Sequence, residues 1–326
     1  KRGSWGSGTN VAEAGTLQVE FRNLAKATGK REYAEKAEYA FEQMKKMEPK
    51  DGLYHITINN GGSTPNASPM SAIQFGGMGD SFYEYMLKIW LQGGRKESMY
   101  REMYDRSMQG LHDRLIQTSP NGLTYIAADH RGHLDRGMEH LACFMGGLLV
   151  LGAHTSPLGL DSETAQRDLK TGKALTYTCY QMYARTKTGV GPESVSFLKG
   201  DNDLDFDVKS AVYVLRPEVV ESLYILNKLT GDPIYREWGW EIFQSIERYC
   251  RTDIAYGALQ DVKNPGGSPT DSMESFFLAE TLKYLYLLFD PDAEVDILNK
   301  HVFNTEAHPM KLLPLMTGKG SLTEAG

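Results

Sequence analysis

Acidic side chains stand beside aromatic rings in residues 271–289, and this combination is suited to binding a sugar. Glu274 and Glu280 flank the paired rings of Phe276 and Phe277. Removing a carboxylate from water costs free energy, so carboxylates beside apolar rings need an explanation. The rings would cover the flat C–H face of a pyranose, while the carboxylates would bind hydroxyl groups or move protons. The alternative is a core helix that merely exposes its glutamates, and this segment alone favours neither interpretation.

Further carboxylates stand at junctions between a loop and a predicted helix. Asp80 and Glu193 each follow a glycine-containing loop, and Glu218 follows Arg216 and Pro217. Acids in a first helical turn are common, because they cap backbone N–H groups and complement the helix dipole. That explanation covers each residue singly. It explains less well why all three junctions lie near aromatic residues, which favours a pocket lined by acid and base carboxylates.

The composition excludes several classes of function. The chain has 326 residues, a formal net charge of −7 and a mean hydropathy of −0.42. An acidic chain is a poor partner for nucleic acid, whose binding requires basic patches. No run of apolar residues approaches the ~18 that a membrane-spanning helix needs. The sequence also contains no phosphate-binding glycine loop and no nucleophile elbow.

Residues 201–207 resemble a calcium-binding loop only superficially. Phe206 stands where an EF-hand requires glycine, and Val212 stands where the bidentate glutamate belongs. The alternation of aspartate with apolar residues predicts a short strand with one hydrated face instead.

The three cysteines are too few for a disulfide scaffold. A bridge between Cys143 and Cys179 would close a loop of about 37 residues and stabilise the fold by roughly 3–4 kcal/mol. Two reduced thiols in the core are the alternative, and the residues alone slightly favour that alternative. We expect Cys250 to be a single buried thiol at a helix end.

A repeated pattern predicts helical hairpins. Residues 24–33 and 226–235 both read Leu-x-Lys-x-Thr-Gly and reach a tyrosine at the tenth position. In each copy a helix would end at glycine in a left-handed cap, and the tyrosine would pack the next helix back on the first. Helix spacing predicts two further pairs, 81–91 with 97–115 and 138–151 with 162–183. The second repeat copy lies in the pair 217–229 with 233–249. A single helix over 271–289 and a β-leaning segment near Val302 follow.

The predicted hairpins are joined by long links rich in Gly, Asn, Asp and Pro. Solenoids usually have short and regular links, so the long ones favour a toroid whose loops gather over one mouth. In the last helix the apolar stripe would consist of Leu278, Leu282, Leu285 and Leu288.

Four blocks of the sequence closely resemble the class I α-1,2-mannosidases, glycoside hydrolase family 47. In the family's order, the blocks are residues 76–88, 215–222, 273–284 and 302–309. Residues 17–22 and 140–143 fit the same pattern. The resemblance implies an all-α fold, an (α/α)7 toroid of helical hairpins with minor β-hairpin loops. It also implies Ca²⁺ as cofactor and hydrolysis of terminal α-1,2-linked mannose from high-mannose N-glycans with inversion.

The resemblance also assigns roles to individual residues. Asp80, Glu193 and Glu218 fall on the family's catalytic carboxylates, with Glu218 as the general base. Thr305 matches the calcium ligand through its carbonyl and hydroxyl oxygens. The residues expected to bind substrate or its ordered water are Glu20, Glu139, Arg216, Glu221, Phe276, Glu280 and Glu306. Met78 stands where an arginine in some relatives accompanies single-linkage specificity, so broader, Golgi-like trimming is expected.

The resemblance further implies a disulfide between Cys143 and Cys179. Disulfides persist in oxidising compartments, so the lumen of the endoplasmic reticulum or Golgi, or the extracellular space, is expected. Any membrane anchor would lie outside this chain.

One departure from the family bears on activity. The family has more chain before the block at residues 17–22, including a Phe-Glu-Ser-Thr motif whose glutamate is a candidate catalytic acid. We therefore expect residues 1–326 to be one catalytic domain that lacks its N-terminal portion, and that segment to be a necessary partner. The alternative function is a catalytically inactive module that binds mannose-rich glycans in glycoprotein quality control.

Overall fold

The computed structural model describes residues 8–59, 66–199 and 204–313. Within these ranges the α-helices are α1 (Val11–Gly15), α2 (Gln18–Thr28), α3 (Glu32–Lys46), α4 (Asp80–Gln92), α5 (Ser98–Gly110), α6 (Phe144–His154), α7 (Glu163–Ala184), α8 (Glu218–Thr230), α9 (Ile234–Tyr249) and α10 (Leu282–Phe289). The strands are β1 (Gly8–Asn10), β2 (Thr57–Asn59), β3 (Asn66–Ala67), β4 (Ile116–Thr118), β5 (Thr124–Ile126), β6 (Ala128–His130), β7 (His133–Asp135), β8 (Gly137–Glu139), β9 (Ser194–Phe197), β10 (Phe206–Ser210), β11 (His301–Phe303) and β12 (Pro309–Lys311). Three further turns are helical: π-helical Leu111–Leu115 and Phe277–Thr281, and 3₁₀ His140–Cys143.

The two copies of the repeat form the predicted hairpins. Both α2 and α8 end at a glycine in the left-handed region, Gly29 and Gly231, each with φ +70°. Tyr33 then packs edge-on against Phe21 of α2 at 6.5 Å between ring centroids. The helices predicted over 81–91, 162–183, 217–229 and 233–249 are confirmed to within one or two residues. Val302 lies in β11, as the β-leaning segment predicted.

The helix predicted to begin at residue 138 was wrong in its first turns. Gly137–Glu139 form β8, and α6 begins only at Phe144. The backbone of Glu139 pairs with Ser194 of β9, and the His140 N–H donates to the Glu193 carbonyl at 2.9 Å. Pairing with a distant strand therefore outweighs the local apolar periodicity.

The single apolar stripe predicted for residues 271–289 was also wrong at its start. Leu285 and Leu288 are buried, but Leu278 is 57% exposed. The π-helical turn adds a residue to the helix, which rotates the preceding side chains by about 100° relative to a regular α-helix. As a result Phe277, Glu280 and Thr281 face inward instead.

The strand predicted within residues 201–207 lies partly outside the described residues. The described part begins β10 at Phe206, which is buried, while Asp207 is exposed. The predicted hydrated face therefore holds for Phe206 and Asp207. It is wrong for Leu204, which is 55% exposed, and for Asp205, which is buried because Arg185 donates to it at 2.6 Å.

The chain divides into two compact units. Of the described residues, the first unit contains 8–59, 66–68, 81–110 and 294–313. The second unit contains 69–80 and the described part of 111–293. None of the helices within the described residues is long and apolar enough to cross a bilayer.

In the first unit, an aromatic cluster joins the helical hairpins. Phe41 of α3 stacks on Phe82 of α4 at 5.3 Å, and Tyr54 meets the Phe82 ring edge-on at 4.8 Å. Close to this cluster, the buried guanidinium of Arg22 donates to Glu38 and, through two nitrogens, to Glu97. Such a multiply hydrogen-bonded arginine fixes α2 against α3 and the start of α5.

In the second unit, α6 is the central helix. Every residue from Phe144 to Ala153 is buried, and the helix packs against α7 and α8. Ser222 of α8 connects the two helices, because its hydroxyl donates to the Cys143 carbonyl at 2.6 Å and accepts from the Gly147 N–H at 2.8 Å. The same unit contains the antiparallel sheet β10-β9-β8 and the hairpins β4-β5 and β6-β7.

Candidate active site

Glu218 opens α8 at a junction with unusual backbone geometry. Leu215, three residues earlier, is fully buried and has φ +66°, a conformation that costs a non-glycine residue about 1–3 kcal/mol. The hydroxyl of Thr281 donates to the Leu215 carbonyl at 2.7 Å. The π-helical turn therefore holds the loop that leads into Glu218.

The Glu218 carboxylate is hydrogen-bonded to a buried histidine. His140 Nδ1 lies 2.7 Å from Glu218 Oε2, and the histidine side chain is fully buried while the Glu218 side chain is 12% exposed. Burial raises the pKa of the Glu218 carboxyl, but the hydrogen bond from His140 and the charge of Arg216 outweigh it, so the net pKa is below its usual range. Glu218 is thus held as a carboxylate, the form a general base requires.

Two tyrosines stand behind His140. The second ring nitrogen, Nε2, lies 2.7 Å from the Tyr183 hydroxyl, and Tyr213 hydrogen-bonds to Tyr183. Both tyrosines are about 1% exposed, and burial raises the pKa of each phenol well above its usual value. They therefore remain protonated at any pH the protein meets.

Arg216 and Glu193 form a bidentate ion pair beside Glu218. The Nε and Nη2 atoms of Arg216 each lie 2.6 Å from an oxygen of Glu193, and Nη1 lies 4.0 Å from Glu218 Oε1. Burial lowers the pKa of Arg216, but the Glu193 hydrogen bond and the nearby acids raise it by more. Because both oxygens of Glu193 accept from Arg216, its position suits orienting the guanidinium better than giving a proton.

A cavity of about 350 Å³ opens in the same unit, and Glu139 lies in its lining. Glu139 Oε2 accepts a hydrogen bond from the Gly77 N–H at 2.8 Å. A Cβ on Gly76 would lie only 2.5 Å from that oxygen, so any larger residue there would displace the Glu139 carboxylate. The same turn positions Asp80, whose N–H donates to the Gly76 carbonyl at 2.9 Å as α4 begins.

Other predicted residues of the second unit lie on α8 and around the π-helical turn. Glu221 is buried one turn after Glu218, and the Tyr284 hydroxyl donates to it at 3.3 Å. Glu280 is only 7% exposed and precedes Thr281. Phe276, at the start of this segment, is half-buried. π-Helical turns are frequent at functional sites, which fits a buried acid at this position.

The first unit brings together Glu20 and Thr305. The Tyr85 hydroxyl donates to Glu20 Oε1 at 2.6 Å, and Asn304 Nδ2 donates to the same oxygen at 2.8 Å. The Thr305 N–H in turn donates to the Tyr85 hydroxyl at 3.3 Å. Glu306 is exposed, and its N–H donates to Asn304 Oδ1 at 3.2 Å. Burial and the Glu20 charge raise the pKa of Tyr85 far above its usual value, so it stays a donor.

The other oxygen of Glu20 is orphaned. Oε2 is buried and has no hydrogen-bond partner among the described residues. A buried acceptor without a donor raises the free energy of the folded state. We therefore expect a water or an ion to be the partner of this oxygen. The described residues contain no group of three His, Cys, Asp or Glu side chains that could hold a metal. Any hard cation at Thr305 would therefore be coordinated mainly by threonine oxygens and water.

The disulfide between Cys143 and Cys179 is present, with a Cα–Cα distance of 5.9 Å. It joins the 3₁₀ turn before α6 to α7. This confirms the pairing implied by the resemblance and rules out two reduced thiols. Cys250 is free and buried, as expected.

Sequence reasoning missed the partners of Glu218. His140 stands in a block that was recognised for its pattern, but no role was assigned to it. Tyr183 and Tyr213 carry no local signal, because tyrosines are common in amphipathic helices and strands. Their connection to Glu218 arises only when α7, α8 and the turn after β8 pack together.

Comparison with known proteins identifies the family. The profile of glycosyl hydrolase family 47 matches residues 1–312. The chain is 42% identical over 314 residues to mannosyl-oligosaccharide 1,2-alpha-mannosidase MNS1 of Arabidopsis thaliana, covering 95% of this chain and 54% of that protein. It is 40% identical over 322 residues to mannosyl-oligosaccharide 1,2-alpha-mannosidase IC of Homo sapiens, covering 95% and 49%.

Among solved structures, the chain is similar to the alpha-1,2-mannosidase from Trichoderma reesei. The TM-score is 0.87 at 30% identity, covering 96% of this chain and 68% of that one. The chain therefore belongs to glycosyl hydrolase family 47. Its fold is the helical-hairpin fold of the family's (α/α)7 barrels, as the resemblance predicted. The chain spans about half the length of the curated relatives it matches.

Proposed function

We propose that this chain carries the catalytic carboxylates of an inverting glycosidase that removes terminal α-1,2-linked mannose from high-mannose N-glycans. The observation that carries the proposal is Glu218, a carboxylate held ionised between His140 and Arg216. The names of the related proteins supply the substrate class.

Glu218 serves as the general base in this proposal. Its second oxygen, Oε1, takes a proton from water as the oxygen of that water attacks the anomeric carbon. The glycosidic C–O bond breaks at the same time, and the leaving oxygen takes a proton from the acid. An inverting enzyme needs a separate acid roughly 6.5–9.5 Å from the base, with the water between them. Asp80 and Glu193 are the predicted partners. Both oxygens of Glu193 accept from Arg216, so Glu193 also orients that arginine.

The remaining predicted residues bind the sugar and its water. Phe276 offers a half-buried ring for the C–H face of a mannose, which is how aromatic side chains add apolar contact at a polar ligand. The carboxylates expected to accept from hydroxyls or water are Glu20, Glu139, Glu221, Glu280 and Glu306, and Arg216 belongs to the same set.

Ca²⁺ is the proposed cofactor, with Thr305 as its protein ligand. Calcium prefers 6–8 oxygen ligands and accepts water among them, which suits a threonine carbonyl and hydroxyl. The orphaned Oε2 of Glu20, in the same hydrogen-bonded cluster, can accept from a coordinated water. When bound, the ion would supply positive charge to sugar hydroxyl oxygens and ordered water.

The disulfide supports an oxidising compartment, in the lumen of the secretory pathway or outside the cell. High-mannose N-glycans are found in the same compartments.

The test is mannose release by the natural full-length polypeptide. The protein is incubated with Ca²⁺ and with mannobioses linked α-1,2, α-1,3 or α-1,6. Release from the α-1,2 disaccharide alone, with β-mannose as the first product by NMR, is expected. No release from any of them by the calcium-loaded protein would contradict the proposal. Binding of the disaccharide without release would favour the glycan-binding module instead.

Calcium binding is tested separately by thermal unfolding. Added Ca²⁺ should raise the Tm of the wild type, because a ligand that binds only the folded state stabilises it. Thr305→Val should lose most of that increase. Thr28→Val, which removes an exposed hydroxyl at the end of α2, is the matched control and should keep it. Equal increases in both variants would exclude Thr305 as a ligand.

A further inference from the structure

A buried line of hydrogen bonds ends on Glu218. Tyr213 bonds to Tyr183, Tyr183 to His140 Nε2 at 2.7 Å, and His140 Nδ1 to Glu218 Oε2 at 2.7 Å. His140 is 0% exposed and the two tyrosines about 1%. None of these three residues reaches the solvent that a sugar would occupy, so a direct role in binding substrate is excluded for them.

The ionised Glu218 carboxylate can only accept, so the proton in its bond with His140 lies on Nδ1. Each phenol has one proton to donate, and burial keeps both phenols protonated. If Tyr213 donates to Tyr183, the Tyr183 proton is free to be donated to His140 Nε2. The ring must then carry its own proton on Nδ1, which it donates to Glu218 Oε2. A competing contact, from the Tyr213 hydroxyl to the Arg216 carbonyl, is 3.4 Å long and correspondingly weak.

We infer that His140 is a positioning residue that selects which oxygen of Glu218 acts as the base. Its Nδ1–H donates to Oε2 of Glu218, and the hydrogen bond with Tyr183 holds the imidazole in that tautomer. Oε1, 4.0 Å from Arg216 Nη1, is left to take the proton from water. The inference rests on the proposed function for its catalytic meaning, but the tautomer itself is a property of the folded chain.

The charged and titratable neighbours of Glu218 either favour its ionised form or are paired with another group. His140 and Arg216 both favour its ionised form. Glu193 is paired with Arg216. Tyr183 and Tyr213 are neutral, and their hydrogen-bonded connection to Glu218 runs through His140. Loss of the His140 donor should therefore raise the Glu218 pKa.

Three variants of the natural full-length polypeptide test the role. His140→Leu removes the donor, and kcat should fall roughly 100-fold, as expected for a misplaced catalytic group, with KM nearly unchanged. The acid limb of kcat/KM should move to higher pH. His140→Asn keeps an N–H at the Nδ1 position and should recover most of the rate. Tyr183→Phe removes only the hydroxyl that fixes the tautomer and should lower kcat roughly tenfold.

A matched control stands on the same helix. Tyr180→Phe removes another α7 phenol, one that bonds to Glu241 rather than to His140, and should leave kcat unchanged. If Tyr183→Phe and Tyr180→Phe behave alike, or if His140→Asn is as impaired as His140→Leu with the same pH profile, the role is overturned.

The tautomer is measured directly by ¹⁵N NMR of histidine-labelled wild-type protein at neutral pH. A neutral ring protonated on Nδ1 is expected, and it should become a mixture in Tyr183→Phe. A ring protonated on Nε2 in the wild type would overturn the inference. This readout needs no turnover, so it separates failure of the tautomer from failure of the proposed mannosidase activity.

Discussion

The hydroxyl of Thr281 donates a 2.7 Å hydrogen bond to the carbonyl of Leu215, and both residues are fully buried. Leu215 has φ +66°, so the backbone there needs support from its surroundings. The bond connects the π-helical turn that carries Glu280 to the loop that presents Arg216 and Glu218. Two distant parts of the chain are thereby held in one arrangement.

Thr281→Val should destabilise the fold by about 1–3 kcal/mol, because it leaves the buried Leu215 carbonyl without its donor. The substitution preserves the shape of the side chain. Chemical denaturation measures the loss. Thr281→Ser keeps the hydroxyl and is the control, expected to recover part of the stability. Equal stability of Thr281→Val and the wild type would show that the bond does not support the loop.

Arg216→Lys should lower kcat/KM by roughly 10–100-fold, since a lysine cannot reproduce the two parallel bonds to Glu193 and shifts the neighbouring groups. Steady-state kinetics measure the change. Arg251→Lys is the matched control, because Arg251, just after α9, is exposed and pairs with Glu247 of that helix at 3.3 Å. The control should match the wild type. Comparable losses of kcat/KM in both variants would show that Arg216 has no specific role in the site.

The lowered pKa of Glu218 predicts that the stability of the fold depends on pH in a definite direction. The pKa of Glu218 is lower in the folded state than in the unfolded chain, where glutamate titrates near ~4.3. Its contribution is therefore fully present above that pH and is lost as the pH falls through the lower folded value. Urea unfolding of wild type and Glu218→Gln from pH 3 to 7 measures it. The wild type's advantage should shrink toward pH 3; growth of the advantage on acidification would contradict the prediction.

Loss of the Cys143–Cys179 disulfide should lower the free energy of unfolding by about 3–4 kcal/mol, because it removes a cross-link between residues 36 apart in sequence. Paired substitution by alanine, followed by denaturation, measures the effect. Cys250→Ala is the control: its thiol is free, and burial raises its pKa to about 12, so it stays unreactive. A reductant should destabilise this control as strongly as the wild type. A double variant as stable as the wild type would contradict the prediction.

Much of the helical architecture could be predicted because its signals are local. Gly29 and Gly231 end their helices since only glycine adopts the left-handed cap without strain. The apolar spacing of α4, α7, α8 and α9 is regular, and their bounds followed from it. The family-specific blocks supplied the fold class and the disulfide, which composition and spacing left open.

The parts that escaped prediction depend on distant contacts. Gly137–Glu139 became a strand because β9 was available to pair with it, and nothing in its own sequence indicates that. The π-helical turn at Phe277–Thr281 has no local signature, yet it decides that Glu280 faces inward and Leu278 outward. His140 was visible only as part of a pattern, since its role depends on α7 and α8 meeting around it.

The most direct test of the account is Glu218→Gln in the natural full-length polypeptide, with Glu237→Gln on the exposed face of α9 as the matched control. Removing a general base should lower mannose release by about 10²–10⁴-fold. Calorimetric affinity for the α-1,2 mannobiose should be nearly unchanged, because the amide retains the size of the side chain. Glu237→Gln should match the wild type in both measurements. Release by Glu218→Gln at the wild-type rate would show that Glu218 is not the base and would contradict the account.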